Sequence, residues 1–166
     1  MVFTNIILAP AIAREQSHVI TNKHDRQQSM RRQLDFLVAP IKSDAELRSY
    51  LASPQFHSSP LKHLSGWGRE RFINSLAFNE NGLTSFRYED LRAELTVTQI
   101  YHVLSLFGAQ SLTPLIRGAK STTAMDFSIM GIGDTGPGMY RDYPDYACKA
   151  KATCTRSYGD ICMSSC

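Results

Sequence analysis

The four cysteines of this chain are its most reactive side chains, and all of them lie within the last nineteen residues. They are Cys148, Cys154, Cys162 and Cys166, and the preceding 147 residues contain no thiol. Thiols grouped in this way can bind a thiophilic metal, pair as disulfides, or react as nucleophiles in a modification of the chain. Their concentration predicts a cysteine-free body followed by a reactive tail.

The spacing C-x5-C-x7-C-x3-C leaves two binding alternatives open. Zinc sites are typically built from close C-x2-4-C pairs, and only Cys162 and Cys166 approach that spacing, although a site using all four thiolates is conceivable. Two disulfides are the other alternative, with three ways of pairing four cysteines. Disulfides persist in oxidising compartments, and the first thirteen residues lack the basic start of a secretory signal peptide. Either alternative describes a small binding or regulatory protein whose tail holds zinc or a redox-active disulfide pair.

Hydroxyl groups surround these thiols and suggest a third kind of chemistry. Dehydration of a serine or threonine gives an alkene that a thiolate attacks to form a thioether. Cyclodehydration of cysteine, serine or threonine onto the preceding carbonyl gives an azoline ring instead. Both reactions need a tail that a separate enzyme can reach. The candidate modification sites are Cys148, Thr153, Cys154, Thr155, Ser157, Cys162, Ser164, Ser165 and Cys166.

The elements in front of the tail are predicted to be helices. Apolar residues at helical spacing predict an amphipathic helix over Asn22–Val38 that ends before Pro40. Two capping boxes, one starting at Ser43 and one at Thr96, predict the starts of two further helices. The expected fold is therefore mainly α, with an extended N-terminal arm and a poorly ordered tail, while Ser121–Met130 is expected to be a short strand or a linker. The expected core is Leu34, Leu37, Leu47, Leu51, Phe72, Ile73, Leu76, Leu91, Leu95, Ile100, Leu104 and Phe107.

Charge and composition exclude some classes of function. The net charge of +3 is too small for a dedicated nucleic-acid-binding protein, and no apolar run approaches the roughly 20 residues that span a bilayer. The five histidines are scattered, and no pairing of catalytic groups is visible, so we expect no enzymatic activity. Basic residues are concentrated between Arg14 and Arg32. They indicate a solvated helix face, with an acidic partner or a membrane surface as the alternatives.

The layout resembles that of precursors of ribosomally synthesised, post-translationally modified peptides that carry long helical leader domains. Four glycines between Gly131 and Gly138 would form the junction between leader and product. The resemblance implies a non-enzymatic, cytoplasmic precursor without a cofactor, whose leader is recognised by a maturation enzyme. It also implies that a protease or an exporter releases the tail as an antimicrobial or metal-binding peptide. The corresponding organisation is an arm (1–21), a helical leader-like domain (22–118), a glycine-rich linker (119–138) and a cysteine- and tyrosine-rich tail (139–166).

Overall fold

The computed structural model describes residues 26–132 and 142–166, so the predicted arm and most of the glycine hinge lie outside the described residues. A first helix, α1, occupies 26–38. Three short 3-10 helices, Pro54–Ser58, Pro60–His63 and Gln110–Leu115, connect longer elements. The remaining elements are α2 (Asp44–Ala52), α3 (Gly66–Ser75), β1 (Ala77–Asn79), β2 (Gly82–Arg87), α4 (Glu89–Glu94), α5 (Val97–Ser105), α6 (Ala124–Ile132), β3 (Tyr143–Ala150) and β4 (Thr153–Cys162).

The expectation of a mainly α fold is wrong, because a four-stranded antiparallel sheet joins the helices in a mixed fold. The strand order is β1-β2-β4-β3, so the C-terminal strands extend a hairpin from the middle of the chain. Ser85 is paired with Cys162, and Phe86 with Ile161. The expectation of a poorly ordered tail is also wrong, since residues 142–166 contribute half of the strands of this sheet.

Both predicted capping boxes lie at helix starts, but only the one at Thr96 has both of its bonds. The Ser43 hydroxyl accepts a hydrogen bond from the Glu46 amide at the start of α2, while the Glu46 carboxylate accepts one from the Lys42 amide. At the start of α5, Thr96 and Gln99 form the reciprocal pair of bonds that defines the motif. These caps satisfy amide groups that have no partner within the helix, and they fix where each helix begins.

The region 121–130, expected to be a strand or a linker, forms α6 instead. Its first turn is fixed by a reciprocal pair of bonds in which the Thr123 hydroxyl accepts from the Asp126 amide and the Asp126 carboxylate accepts from the Thr123 amide. The buried Asp126 carboxylate also accepts bonds from the amide and hydroxyl of Thr98, which joins α6 to the start of α5. Hydrogen bonds from Thr98 and then from Thr122 hold the pKa of Asp126 well below its ordinary range.

The core lies between α5, α3, α4 and the sheet. Phe72 is fully buried and meets Phe86 and Phe107 edge to face, at ring centroid distances of 6.3 and 6.0 Å. Seven predicted core residues are buried, and three more pack against the core while partly exposed. The buried seven are Leu47, Phe72, Leu91, Leu95, Ile100, Leu104 and Phe107, and the other three are Leu51, Ile73 and Leu76.

Helix α1 contacts the body through the side opposite its apolar stripe. Phe36 is its main apolar contact, and it lies so close to Gly82 that a Cβ there would be 2.7 Å from the ring. A Cβ on Gly108 would similarly be 2.9 Å from the carbonyl oxygen of Asp35. Leu34 and Leu37, by contrast, are 56% and 66% exposed, so the prediction that they belong to the core is wrong. Within 26–132 and 142–166, no helix combines the length and the apolar character needed to cross a bilayer.

Candidate functional site

The C-terminal hairpin folds back on itself, which brings its cysteines together. Cys154 and Cys162 are eight residues apart on β4, yet their Cα atoms are only 6.0 Å apart. A straight strand of that length would span roughly 26 Å. The register shows where the strand bends, because the pairing jumps from Pro144↔Ile161 to Tyr146↔Arg156. The four residues 157–160 therefore form an enlarged bulge opposite one residue of β3.

Asp145 holds this bend in place. Its carboxylate accepts hydrogen bonds from the Tyr88 hydroxyl at 2.9 Å and from the Gly159 amide at 3.0 Å. The bonds from Gly159 and then from Tyr88 lower the pKa of Asp145. Burial, followed by the bond to Asp145, raises the pKa of Tyr88 to about 12. At neutral pH the carboxylate is therefore ionised and the phenol protonated, which is the combination that this contact requires.

Gly159 is required at the bulge for two reasons. Its φ of +84° lies in the left-handed region that disfavours side chains, and a Cβ there would lie 2.6 Å from the Glu89 side chain. Its carbonyl oxygen also accepts a hydrogen bond from the Tyr88 amide at 2.7 Å. The bulge is thus packed directly against the start of α4.

All four cysteines are paired, Cys148 with Cys166 and Cys154 with Cys162. Cys162 is fully buried, while the other three are half-buried. The two disulfides are neighbours, since the sulfur atoms of Cys148, Cys162 and Cys166 all lie within 4.8 Å of one another. In this oxidised form no thiolate is available to a metal, so the zinc alternative applies only to a reduced protein.

A cavity of about 380 Å³ lies beside this pair of disulfides, beneath α1. Its wall on the hairpin side is the segment Met163–Ser165, which runs between two disulfide-bonded cysteines. Apolar side chains from several elements and polar side chains from the rim complete the lining. The apolar contributors are Phe36, Leu83, Phe107, Leu112 and Met163, and the polar contributors are Gln28, Ser29, Arg32, Gln33, Glu80, Asn81, Ser111, Ser164 and Ser165.

The cavity wall is fixed by hydrogen bonds to the sheet. The Met163 amide donates to the Thr84 carbonyl at 2.8 Å, and the Ser165 hydroxyl donates to the Leu83 carbonyl at 2.5 Å. The Asn79 side-chain amide donates to the Ser165 carbonyl at 2.7 Å. The segment after β4 therefore continues along β2 and β1, and these bonds hold it at both of its ends.

Arg32 joins α1 to the other side of the cavity. Its guanidinium forms a bidentate ion pair with Asp142, in which Nη1 donates to Oδ1 at 3.1 Å and Nη2 donates to Oδ2. Nη1 also donates to the Ser164 hydroxyl at 2.7 Å. The Asp142 side chain is only 1% exposed and also accepts from the Ser164 amide at 2.8 Å. The positive charge of Arg32 is therefore neutralised by a protein carboxylate, and the residues that the structure describes leave no unpaired cation in the cavity wall.

The hydroxyls predicted to be modified with the cysteines differ in their surroundings. Thr153, Thr155 and Ser164 are exposed, whereas Ser157 and Ser165 are half-buried. Ser157 donates to Asp160, Ser164 accepts from Arg32, and Ser165 donates to Leu83. The structure therefore places the nine predicted sites on a packed hairpin, where the four cysteines and these three serines take part in contacts that hold the fold together.

Sequence reasoning missed the residues that organise this site. Arg32 and Asp142 are 110 residues apart, and no local pattern relates them. Tyr88 and Asp145 are likewise brought together only by the sheet, in which β4 pairs with both β2 and β3. The turn at Asn81-Gly82 was a detectable signal, because Asn-Gly between apolar segments is typical of a β-hairpin.

No protein-family model, curated protein or solved structure matches this chain. Modification of the tail by a maturation enzyme, its release and the lack of catalytic activity therefore stay predictions. Of the alternatives for the cysteines, the geometry supports the one in which they form two disulfides.

Proposed function

We propose that this protein is a small binding protein whose cavity beneath α1 holds a small, uncharged, amphiphilic ligand. In this proposal the two disulfides hold one wall of the cavity in place, so the shape of the cavity depends on the redox state of the cysteines. The observation that carries it is the position of Met163–Ser165, which line the cavity and are bounded by Cys162 and Cys166. Reduction of the disulfides would release both ends of that wall from their covalent anchors.

Size and chemistry support the ligand class. A volume of about 380 Å³ lies within the range of roughly 300–1,000 Å³ that is typical of small-molecule sites. The lining combines a floor of aliphatic and aromatic side chains with hydroxyls and amides at the rim. Among the described residues, the two charged side chains of the lining have partners, since Arg32 binds Asp142 and Glu80 binds Lys151. An uncharged ligand fits because a charged one would have to displace one of these partners or remain unpaired.

The disulfides also support a place of action. Paired cysteines with one fully buried sulfur are stable in an oxidising compartment and are rare in a reducing cytosol. The proposal therefore places the working protein outside the cytosol, where both disulfides are formed. A reducing environment would break them.

The test uses the neutral fluorescent amphiphile prodan as a probe of the cavity. We expect the oxidised full-length protein to bind prodan with a blue shift in the emission of the probe. Ser111→Phe should weaken this binding at least tenfold, because the half-buried side chain at position 111 would fill the cavity. The matched control is Ser58→Phe, because Ser58 is exposed and does not line the cavity. Reduction with a dithiol should also weaken binding. Equal prodan affinity of Ser111→Phe and the unsubstituted protein would rule out this cavity as the binding site.

A further inference from the structure

The exposed surface of α1 is the most unusual surface of the described residues. Met30, Leu34, Leu37 and Val38 are between 56% and 75% exposed, and they follow one another at helical spacing. The side that contacts the body carries charged and polar groups, including the ion pair of Arg32 with Asp142. The apolar stripe of the helix therefore faces outward, and the side against the protein is polar apart from Phe36.

The charges beside the stripe have a regular arrangement. With 3.6 residues per turn, successive side chains are about 100° apart around the helix axis. Around the axis, that spacing places Arg26 at one border of the stripe, about 20° beyond Leu37, and Arg31 at the other border, about 20° beyond Val38. Both arginines are exposed. The one acidic residue of α1, Asp35, lies on the side that faces the body, where its backbone approaches Gly108.

An apolar stripe bordered by arginines is the pattern of helices that lie in the interface of anionic membranes. The aliphatic side chains enter the boundary between headgroups and acyl chains, and the guanidinium groups remain at the level of the phosphates. At 13 residues, α1 is about 20 Å long, which suits a position parallel to the surface. A dimer formed through this stripe would bury only a few residues, whereas a stable protein interface uses roughly 20–30 residues on each side.

We propose that α1 is a docking surface for an anionic phospholipid bilayer, with Met30, Leu34, Leu37 and Val38 inserted and Arg26 and Arg31 bound to headgroup phosphates. Docking in this orientation leaves the inward side of α1, and therefore the cavity, on the protein side of the helix. The inference does not depend on the proposed ligand function, since prodan binding and membrane binding use opposite sides of α1.

Vesicle flotation of the full-length oxidised protein tests the proposal. One set of vesicles is phosphatidylcholine alone, and the other contains about 30% phosphatidylglycerol. The variants are Leu34→Ser with Leu37→Ser, which removes half of the stripe, and Arg26→Gln with Arg31→Gln, which removes its charges. The control is Met125→Ser with Phe127→Ser, because these α6 side chains are also about 60% exposed but lie on another helix.

We expect binding to the anionic vesicles and at least tenfold weaker binding to phosphatidylcholine alone. Each α1 double variant should weaken anionic binding on the order of tenfold, and the arginine variant should also lose most of the salt dependence. The α6 control should bind like the unsubstituted protein. Because all substituted side chains are exposed, the urea midpoints should stay unchanged; if the leucine variant is destabilised, the arginine variant decides the outcome.

Three results would overturn the proposal. The first is failure of the unsubstituted protein to float with anionic vesicles. The second is binding that both α1 variants retain. The third is light scattering that shows a dimer in the absence of lipid, dissociated by Leu34→Ser with Leu37→Ser, since the stripe would then contact a second copy of the chain.

Discussion

Replacement of Arg32 with methionine should separate α1 from the C-terminal hairpin, because it removes the ion pair with Asp142. The size of the effect follows from the exposure of the two partners. Breaking a fully buried pair costs roughly 3–5 kcal/mol, whereas exposed pairs contribute about 0–1 kcal/mol. Here the carboxylate is 1% exposed and the arginine side chain 29% exposed. We therefore expect the free energy of unfolding to fall by about 2–3 kcal/mol.

Urea unfolding followed by circular dichroism measures this loss, and the melting temperature should fall by about 5–10 °C. Methionine keeps the length and the apolar stem of the side chain, so the result reports mainly on the lost charge pair. The matched control is Lys151→Met, which breaks the pair with Glu80, where both side chains are more than 60% exposed. That variant should change stability by less than about 0.5 kcal/mol. A loss for Arg32→Met as small as that of Lys151→Met would refute the view that a buried carboxylate anchors α1.

Three further predictions concern the backbone, the cysteines and the pH dependence. Gly108→Ala should lower the free energy of unfolding by at least about 1–2 kcal/mol, because φ is +68° and the new Cβ meets Asp35 of α1. Gly66→Ala is the control in the same urea titration and should cause no loss, because a Cβ there meets nothing within 4 Å. Replacing both Cys148 and Cys166 with alanine should lower the free energy of unfolding by about 3 kcal/mol, because their disulfide closes a loop of 18 residues. A variant as stable as the unsubstituted oxidised protein would contradict this. The pKa of Asp126 is lowered in the folded protein, so the unfolded chain binds more protons and stability should fall as the pH drops below 3.8. Calorimetry at several pH values should show a weaker pH dependence of the melting temperature for Asp126→Asn. The same pH dependence in both proteins would contradict a stabilising role for the hydrogen bonds to the Asp126 carboxylate.

Local signals in the sequence located most of the helices. Capping boxes and helical periodicity predict α2 and α5 because both act within a few residues of the chain, and both were confirmed. The motif Thr123-x-x-Asp126 at the start of α6 is a signal of the same kind that was not used. Its presence before an apolar segment favours a helix over the expected strand or linker.

The sheet could not be derived in the same way. β4 pairs with β2 across more than seventy residues, and its bulge at 157–160 interrupts the alternation that identifies a strand. The tail therefore has neither helical nor strand periodicity, and such a lack of pattern favours disorder when the sequence is taken alone. A bent, disulfide-bonded hairpin produces the same lack of pattern for the opposite reason, because bonds between distant residues determine its shape.

The orientation of α1 was mispredicted because periodicity identifies an apolar stripe without showing which side of the helix meets the body. Phe36 lies off that stripe, yet it is the side chain that packs against Gly82. The buried Asp142 carboxylate favours an ion pair with Arg32, and no property of α1 alone identifies Asp142 as the partner. The candidate site was thus only partly predictable: its cysteines were visible in the sequence, while the residues that position them were not.

The pairing of the cysteines can be measured directly on the protein from its native host. Two disulfides make the intact chain about 4 Da lighter than the reduced form. Trypsin cleaves after Lys149 and Arg156, and cyanogen bromide cleaves after Met163, so each cysteine falls on a different fragment. The structure predicts that the fragment with Cys148 is joined to the one with Cys166, and the fragment with Cys154 to the one with Cys162. Any other pairing, free thiols, or thioether rings with loss of water would contradict the folded, disulfide-bonded hairpin on which the cavity depends.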